Sequence, residues 1–321
     1  MNESILITGA NVGLGKETAR QLALREETKR VVLFCRNQSN AEAAQKDLEE
    51  KPGKRIFDIT IGDVSDEASV RKAVDRLEQP MDAVILNAGG MVGATAGRPT
   101  PSGMNELAAT NILGHVVLVD ELINRGKLKN TVLFVSAEAV PGVKPLGMKP
   151  VAMPTSSVDE FAAVLDGTYF GDKFDAVQAY GYVKYAGTMW ALSMARKHPE
   201  LKVVVVSPGN TRGTMAPDSL PGPMRFILKY LMMPIVFPLM GGMVHGLDVG
   251  VKRFVDAISD ERYKSGVFYA SKGGKLSGDM VDQSTFFTSL RNTSFQDNAS
   301  EAIHRFIKGS DVSQASLSTV S

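Results

Sequence analysis

One cysteine, Cys35, stands alone in 321 residues. A lone thiol excludes an intramolecular disulfide framework and agrees with a reducing compartment. Neither sign of charge is in excess: 36 basic and 35 acidic side chains give a formal net charge of +1. That balance offers no footprint for nucleic acid or an anionic surface. The four histidines are scattered, and no metal-ligand spacing links them to each other or to acids, so no metal is expected. The opening MNESILITGA lacks the basic start and long apolar run of a signal peptide and reads as a strand, which leaves a cytoplasmic enzyme as the expectation. The most apolar stretch, Leu220–Leu247, contains Arg225 and Lys229 and is cut by Pro234 and Pro238, so it makes a poor transmembrane span. It reads as two short core helices, as a methionine-rich lid over an apolar substrate, or as a peripheral membrane contact.

What is present is a regular alternation. Short β-branched runs (Ser4–Thr8, Arg30–Cys35, Arg55–Asp63, Met81–Leu86, Thr131–Val135, Lys202–Val206 and Gly266–Ala270) are separated by helical patterns. Ser65 is the expected N-cap of the helix that ends near Glu78, and a long helix is expected over about Ser102–Arg125. Near-continuous apolar strands between helices indicate a parallel sheet buried on both faces. Right-handed crossovers make that an α/β, Rossmann-type doubly wound sheet of seven parallel strands, in the order 3-2-1-4-5-6-7. The chain reads as a single catalytic domain over 1–295, with site-covering insertions at 138–175 and 212–247. A C-terminal helix and polar tail follow over 296–321.

The first strand runs into Thr8-Gly9-Ala10-Asn11-Val12-Gly13-Leu14-Gly15. Glycines here let the backbone approach a pyrophosphate, and the next helix points its N-terminal amides at that charge. The second strand ends Cys35-Arg36-Asn37, with no carboxylate for a ribose 2′-hydroxyl. A guanidinium suits a 2′-phosphate instead, so Arg36 predicts NADP(H) over NAD. Farther along, Tyr180 and Lys184 lie four residues apart in AYGYVKYAGTMWALSMARK, on one face of a helix. A nearby ammonium favours phenolate and would bring the tyrosine towards acid–base work. Tyr169 and Lys173 repeat the spacing, but Tyr169 sits between Gly167 and Gly171 in a weak helical context and reads as a loop aromatic.

These motifs in this order resemble the short-chain dehydrogenases/reductases over about residues 4–272. The pieces are TGANVGLG (8–15), Gly62-Asp63-Val64, Asn87-Ala88-Gly89, Asn111, Ser136 or its neighbour, Tyr180-x-x-x-Lys184 and Ser207-Pro208-Gly209. GANVGLGKETARQLA and the Cys-Arg ending of strand two look most like the retinol dehydrogenase and protochlorophyllide reductase side of the family. The resemblance implies a cofactor site from Gly9, Asn11, Gly13, Leu14, Gly15 and Arg36, with Asp63 and Val64 holding the adenine. Asn87, Ala88 and Gly89 would line the cofactor near its adenine ribose, and Pro208, Gly209 and Thr211 would meet the nicotinamide. Asn111, Ser136, Tyr180 and Lys184 would be catalytic, with Tyr180 and Lys184 also touching the nicotinamide ribose. Ser136 is the candidate to bind the substrate oxygen, yet in a register shared by many relatives that position falls on Ala137. The implied reaction is hydride exchange between NADP(H) and a bulky apolar carbonyl or alcohol. Reduction of a carbon–carbon double bond, or NADP(H) binding with little turnover, stay open. Homodimer and homotetramer are both compatible with the resemblance.

Overall fold

Strands of Val, Ile and Leu bounded by Gly or polar residues need apolar cover on both sides, and the architecture supplies it. A computed structural model describes residues 2–50, 54–144, 147–172, 174–211 and 243–318. Among these, β1 (Ser4–Thr8), β2 (Arg30–Cys35), β3 (Phe57–Ile61), β4 (Met81–Leu86), β5 (Leu128–Val135), β6 (Lys202–Val206), β7 (Val267–Ser271) and β8 (Met280–Asp282) form one sheet. Its order is β3-β2-β1-β4-β5-β6-β7-β8. The first seven strands are parallel and pair in the expected order. An eighth was not legible in the sequence: β8 turns back antiparallel on β7, with Ala270 opposite Val281. Its three residues are too few to give a period.

Alternate side chains feed two cores. Leu6, Val32, Val84, Val132 and Val205 face one layer of helices. Ile5, Leu33, Ile85, Leu133 and Val204 face the other. Burying one such side chain contributes roughly 1.5–3 kcal/mol, so both layers are needed to hold the sheet. The second core is closed by α1 (Gly13–Ala23), α2 (Gln38–Glu50) and α8 (Leu247–Ser259). The first is closed by α3 (Glu67–Asp75), by a helical stretch made of α4 (Glu106–Ala108), a π-turn (Ala109–Leu113) and α5 (Gly114–Asn124), and by α7 (Ala176–Lys197). The cap of α3 is Asp66 rather than Ser65: Asp66 accepts from the Ser69 amide at 3.3 Å, while Ser65 gives its hydroxyl to Asp63 at 2.7 Å.

The 138–175 segment contains α6 (Val158–Asp166), capped by Ser157 and closed by Gly167. Helix α9 (Thr293–Ser318) extends into residues that the sequence assigned to a polar tail. It lies along α6 and α7, with Ser193 donating to Asp297 at 2.6 Å and Arg196 to Gln296 at 2.7 Å. His304 reaches Asp120 of α5 at 3.0 Å. Most of the 212–247 insertion, residues 212–242, lies outside the described residues, and so do the readings placed on it. Among the described residues, no helix is long and apolar enough to cross a membrane, and no group of three or more His, Cys, Asp or Glu could hold a metal ion.

Candidate active site

The glycine string turns from β1 into α1 at the carboxyl edge of the sheet. Gly15 packs so closely that an added Cβ would stand 2.2 Å from the Gly9 carbonyl oxygen. At Gly13, with φ +55°, an added Cβ meets nothing within 4 Å, so the outer lip of the turn is bare. A tight floor under an open lip, at the N-terminus of a helix, fits a dinucleotide pyrophosphate. Asn11 and Leu14 are half-buried in the same turn. Thr8 fastens this turn to the end of β4. Its hydroxyl oxygen accepts from the amides of Asn87 and Ala88, both at 2.9 Å, and its carbonyl accepts from Asn87 Nδ2 at 2.9 Å.

Arg36 extends from the end of β2 with 78% of its side chain exposed, and its nearest acid is Asp63 at 3.9 Å. An arginine so loosely held is free to meet an anionic ligand. Asp63 is fixed by Ser65, which donates from both its amide (2.9 Å) and its hydroxyl. Val64 is buried beside it, and its carbonyl accepts from the Gly114 amide at 2.9 Å.

Asn111 lies within the π-turn, fully buried. Its Nδ2 donates to the Gly90 and Leu107 carbonyls, each at 2.8 Å, and its Oδ1 accepts from the Gly90 amide at 3.1 Å. A π-turn frees a backbone carbonyl that an α-helix would use. Here the Asn111 carbonyl accepts from His115 Nδ1 at 3.2 Å. Because a carbonyl only accepts, Nδ1 carries the proton and Nε2 accepts from the Thr8 hydroxyl at 3.0 Å. Loss of water pushes this imidazole down to about 3, helped by the Lys184 charge, so it is neutral at pH 7. Sequence reading missed His115 because nothing local marks a histidine as buried.

Tyr180 and Lys184 share a face of α7, with the Lys184 Nζ 5.7 Å from the tyrosine ring centroid. That amine donates to the Val135 carbonyl, the last residue of β5, at 3.0 Å. Burial acts against both charged forms. The phenol is pushed up to about 12, and the lysine is pushed down to about 7. The lowered phenol pKa expected from the spacing is therefore not what the protein alone produces: desolvation outweighs a neighbour that is itself only partly charged near neutrality. Tyr169 lies in a short 3₁₀ turn (Thr168–Phe170), with its ring against Phe170 and Tyr182; Lys173 lies outside the described residues.

Ser136 is 1% exposed, and its hydroxyl is 2.8 Å from that of Thr188. Thr188 donates onward to the Lys184 carbonyl at 2.8 Å, so Ser136 is the donor to Thr188. Ala137, the next residue, is half-buried. Pro208, Gly209 and Thr211 lie in the loop after β6, across the sheet edge from the glycine string. Two buried residues absent from the sequence reading, Glu138 and Arg253, meet there at 3.4 Å. They stand 115 positions apart, and no local pattern links them.

The family described as short chain dehydrogenase matches residues 3–145. The bovine "Dehydrogenase/reductase SDR family member 12" is 37% identical over 122 residues, 37% of this chain and 37% of that protein. Bovine "Retinol dehydrogenase 12" is 34% identical over 126 residues, covering 38% of this chain and 39% of the relative. The matched stretch thus spans well under half the length of these curated relatives. The solved NADPH-bound carbonyl reductase from chicken fatty liver superimposes with a TM-score of 0.53 at 21% identity, over 86% of this chain and 99% of that one. At that identity the likeness speaks for the fold.

Proposed function

We propose that the chain is a member of the short-chain dehydrogenase/reductase family, whose model matches residues 3–145, and that it is an NADP(H)-linked oxidoreductase interconverting a bulky apolar carbonyl and its alcohol. One observation carries the proposal: a half-buried tyrosine and a buried lysine on one helix face, with the lysine anchored to the end of β5. With the phenol pushed up to about 12, Tyr180 holds its proton at neutral pH. It is then poised to donate from Oη to an oxygen gaining negative charge, which is the reducing direction. Lys184 would hold the cofactor ribose and return charge to the site as it protonates. NADPH supplies the hydride when bound; the protein supplies position, proton and field. The bare lip at Gly13 and the loosely held Arg36 support the cofactor and its 2′-phosphate. The structurally similar carbonyl reductase from chicken fatty liver was solved with NADPH bound. The name of the bovine relative specifies retinol, in keeping with a large alcohol or carbonyl.

The Ser136–Thr188 bond favours a second, weaker form of this reading. A serine that holds α7 in place leaves Ala137 next to the reacting oxygen, without a hydroxyl to stabilise it. Turnover would then be slow, and NADP(H) binding would be the more prominent property. Incubating the protein with NADPH and a panel of ketones, aldehydes and enones, with product identification, tests both. Alcohol products support carbonyl reduction. A saturated product from an enone would replace it with carbon–carbon reduction. Tight NADPH binding without turnover across the panel would leave the binding protein.

A further inference from the structure

We infer that Arg253 and Glu138 are positioning residues for the reactive end of the dinucleotide site, locking the turn after β5 to the loop after β6. The inference rests on the proposed cofactor reading and goes beyond it, because it assigns the geometry of that end to a buried side-chain pair remote from it in sequence. Arg253 projects from α8 and is 5% exposed; Glu138 is 4% exposed. One guanidinium nitrogen, Nη1, donates to the Ser207 carbonyl at 3.1 Å and faces Glu138 Oε1 at 3.4 Å. The other, Nη2, donates to Ser271 Oγ at 2.9 Å and the Gly278 carbonyl at 2.7 Å. Glu138 in turn accepts from the Ser271 amide at 3.0 Å and its hydroxyl at 2.8 Å. A single planar fork therefore ties together the ends of β5, β6 and β7 and the β7–β8 turn. A lysine ammonium could not span those four acceptors.

The β6 end of this clamp is the loop that faces the nicotinamide in the proposed site. Gly209, with φ +72°, lies directly on it: an added Cβ would stand 3.0 Å from Arg253 Nη1 and 2.7 Å from the Leu276 carbonyl. His245 also holds this loop, donating from Nε2 to the Pro208 carbonyl at 2.8 Å. The β5 end is the turn that carries Ala137, directly before Glu138. Burying an ion pair is costly, and removing one partner strands the other. A pair kept at this edge, where two site-forming segments must hold a fixed separation, is better explained by geometry than by stability.

The test compares two ligands. NADPH reaches both ends of the site, whereas 2′,5′-ADP reaches only the adenosine end. Arg253→Met, Arg253→Lys and Glu138→Gln are titrated with each ligand alongside thermal melts. A positioning role lowers NADPH affinity relative to 2′,5′-ADP by roughly tenfold for Arg253→Met, less for Glu138→Gln, with partial rescue in Arg253→Lys. A merely structural role lowers the melting temperature and weakens both ligands in parallel, leaving the ratio unchanged, and would overturn the inference. If Arg253→Met fails to fold, the ratio in the other two variants decides. A wild-type protein that binds both ligands, with an unchanged ratio in every folded variant, sinks the inference alone. A wild-type protein that binds neither sinks the dinucleotide reading and this inference with it.

Discussion

The two halves of the sheet edge are built differently. On the β1–β4 side the parts of the candidate site are short strings: a glycine turn, Asn87-Ala88-Gly89, Asp63-Val64. Thr8 clips the glycine turn to Asn87-Ala88 through backbone amides. On the β5–β7 side the parts are single residues from distant places, held by side chains: Ser136 with Thr188, Lys184 with Val135, Glu138 with Arg253 and Ser271. The family match ends at residue 145, close to that divide. A ligand read by main-chain groups forces local glycine patterns, whereas a reacting group can be positioned by many different side-chain sets. In the proposed reading, the first half would fix which cofactor class is held, and the second would adapt what is done with it.

Substitutions can break or sharpen this division. The largest effect is expected from Tyr180→Phe. NADPH-dependent turnover should fall by about 10²–10⁴-fold, the range for loss of a general acid, with NADPH affinity nearly unchanged by fluorescence titration. An equal loss of affinity would show that the halves are not separable. Next, Arg36→Asp should weaken NADPH by roughly 10–100-fold, as expected for one charge-assisted contact, without weakening NADH. Its melting temperature should not move, because Arg36 is exposed. Ala137→Ser should raise kcat by about tenfold or less if a hydroxyl there can reach the substrate oxygen, since a donor added without its supporting contacts recovers part of what a preorganised one gives. An unchanged kcat would keep position 137 out of the reaction.

The smallest effect concerns His115 and acid stability. Its folded pKa is pushed down to about 3, against the usual 6.5. Above pH 6.5 the imidazole is neutral in both folded and unfolded chains and contributes no pH dependence. As pH falls from 6.5 towards 3 the unfolded chain takes up a proton that the folded one refuses, so stability is lost across that window. His115→Asn cannot bind that proton. The stability gap between wild type and variant, measured by urea unfolding at pH 7 and pH 4.5, should narrow at the lower pH. A constant gap would mean that the imidazole is not held neutral.

What could be read from the sequence follows the same divide. Seven strands, their order and the glycine turn were legible because apolar runs and glycines report burial and close approach directly. Asp66 displaced Ser65 as the cap of α3, a choice decided by which side chain was already engaged with Asp63. The Tyr180–Lys184 spacing was legible, but its electrostatic sign was not: the spacing gives proximity, while desolvation depends on everything packed around α7. Ser136 illustrates the limit. Only coordinates reveal that Thr188, one turn beyond Lys184, takes its hydroxyl. Arg253 carries no sequence signal of its own, since a lone arginine in an amphipathic helix ordinarily reads as solvated.

Helix α9 also bears on when the molecule becomes competent. Ala299, Ala302 and Ile303 are fully buried and belong to the same core as Trp190 and Tyr185 of α7. During synthesis, the tyrosine-bearing segment leaves the ribosome more than a hundred residues before the polypeptide that roofs it. Until that roof arrives, α7 lacks the apolar contacts that Ala299, Ala302 and Ile303 supply. Premature termination upstream of residue 293 would therefore yield a chain with Tyr180 already made but without part of the apolar cover of its helix.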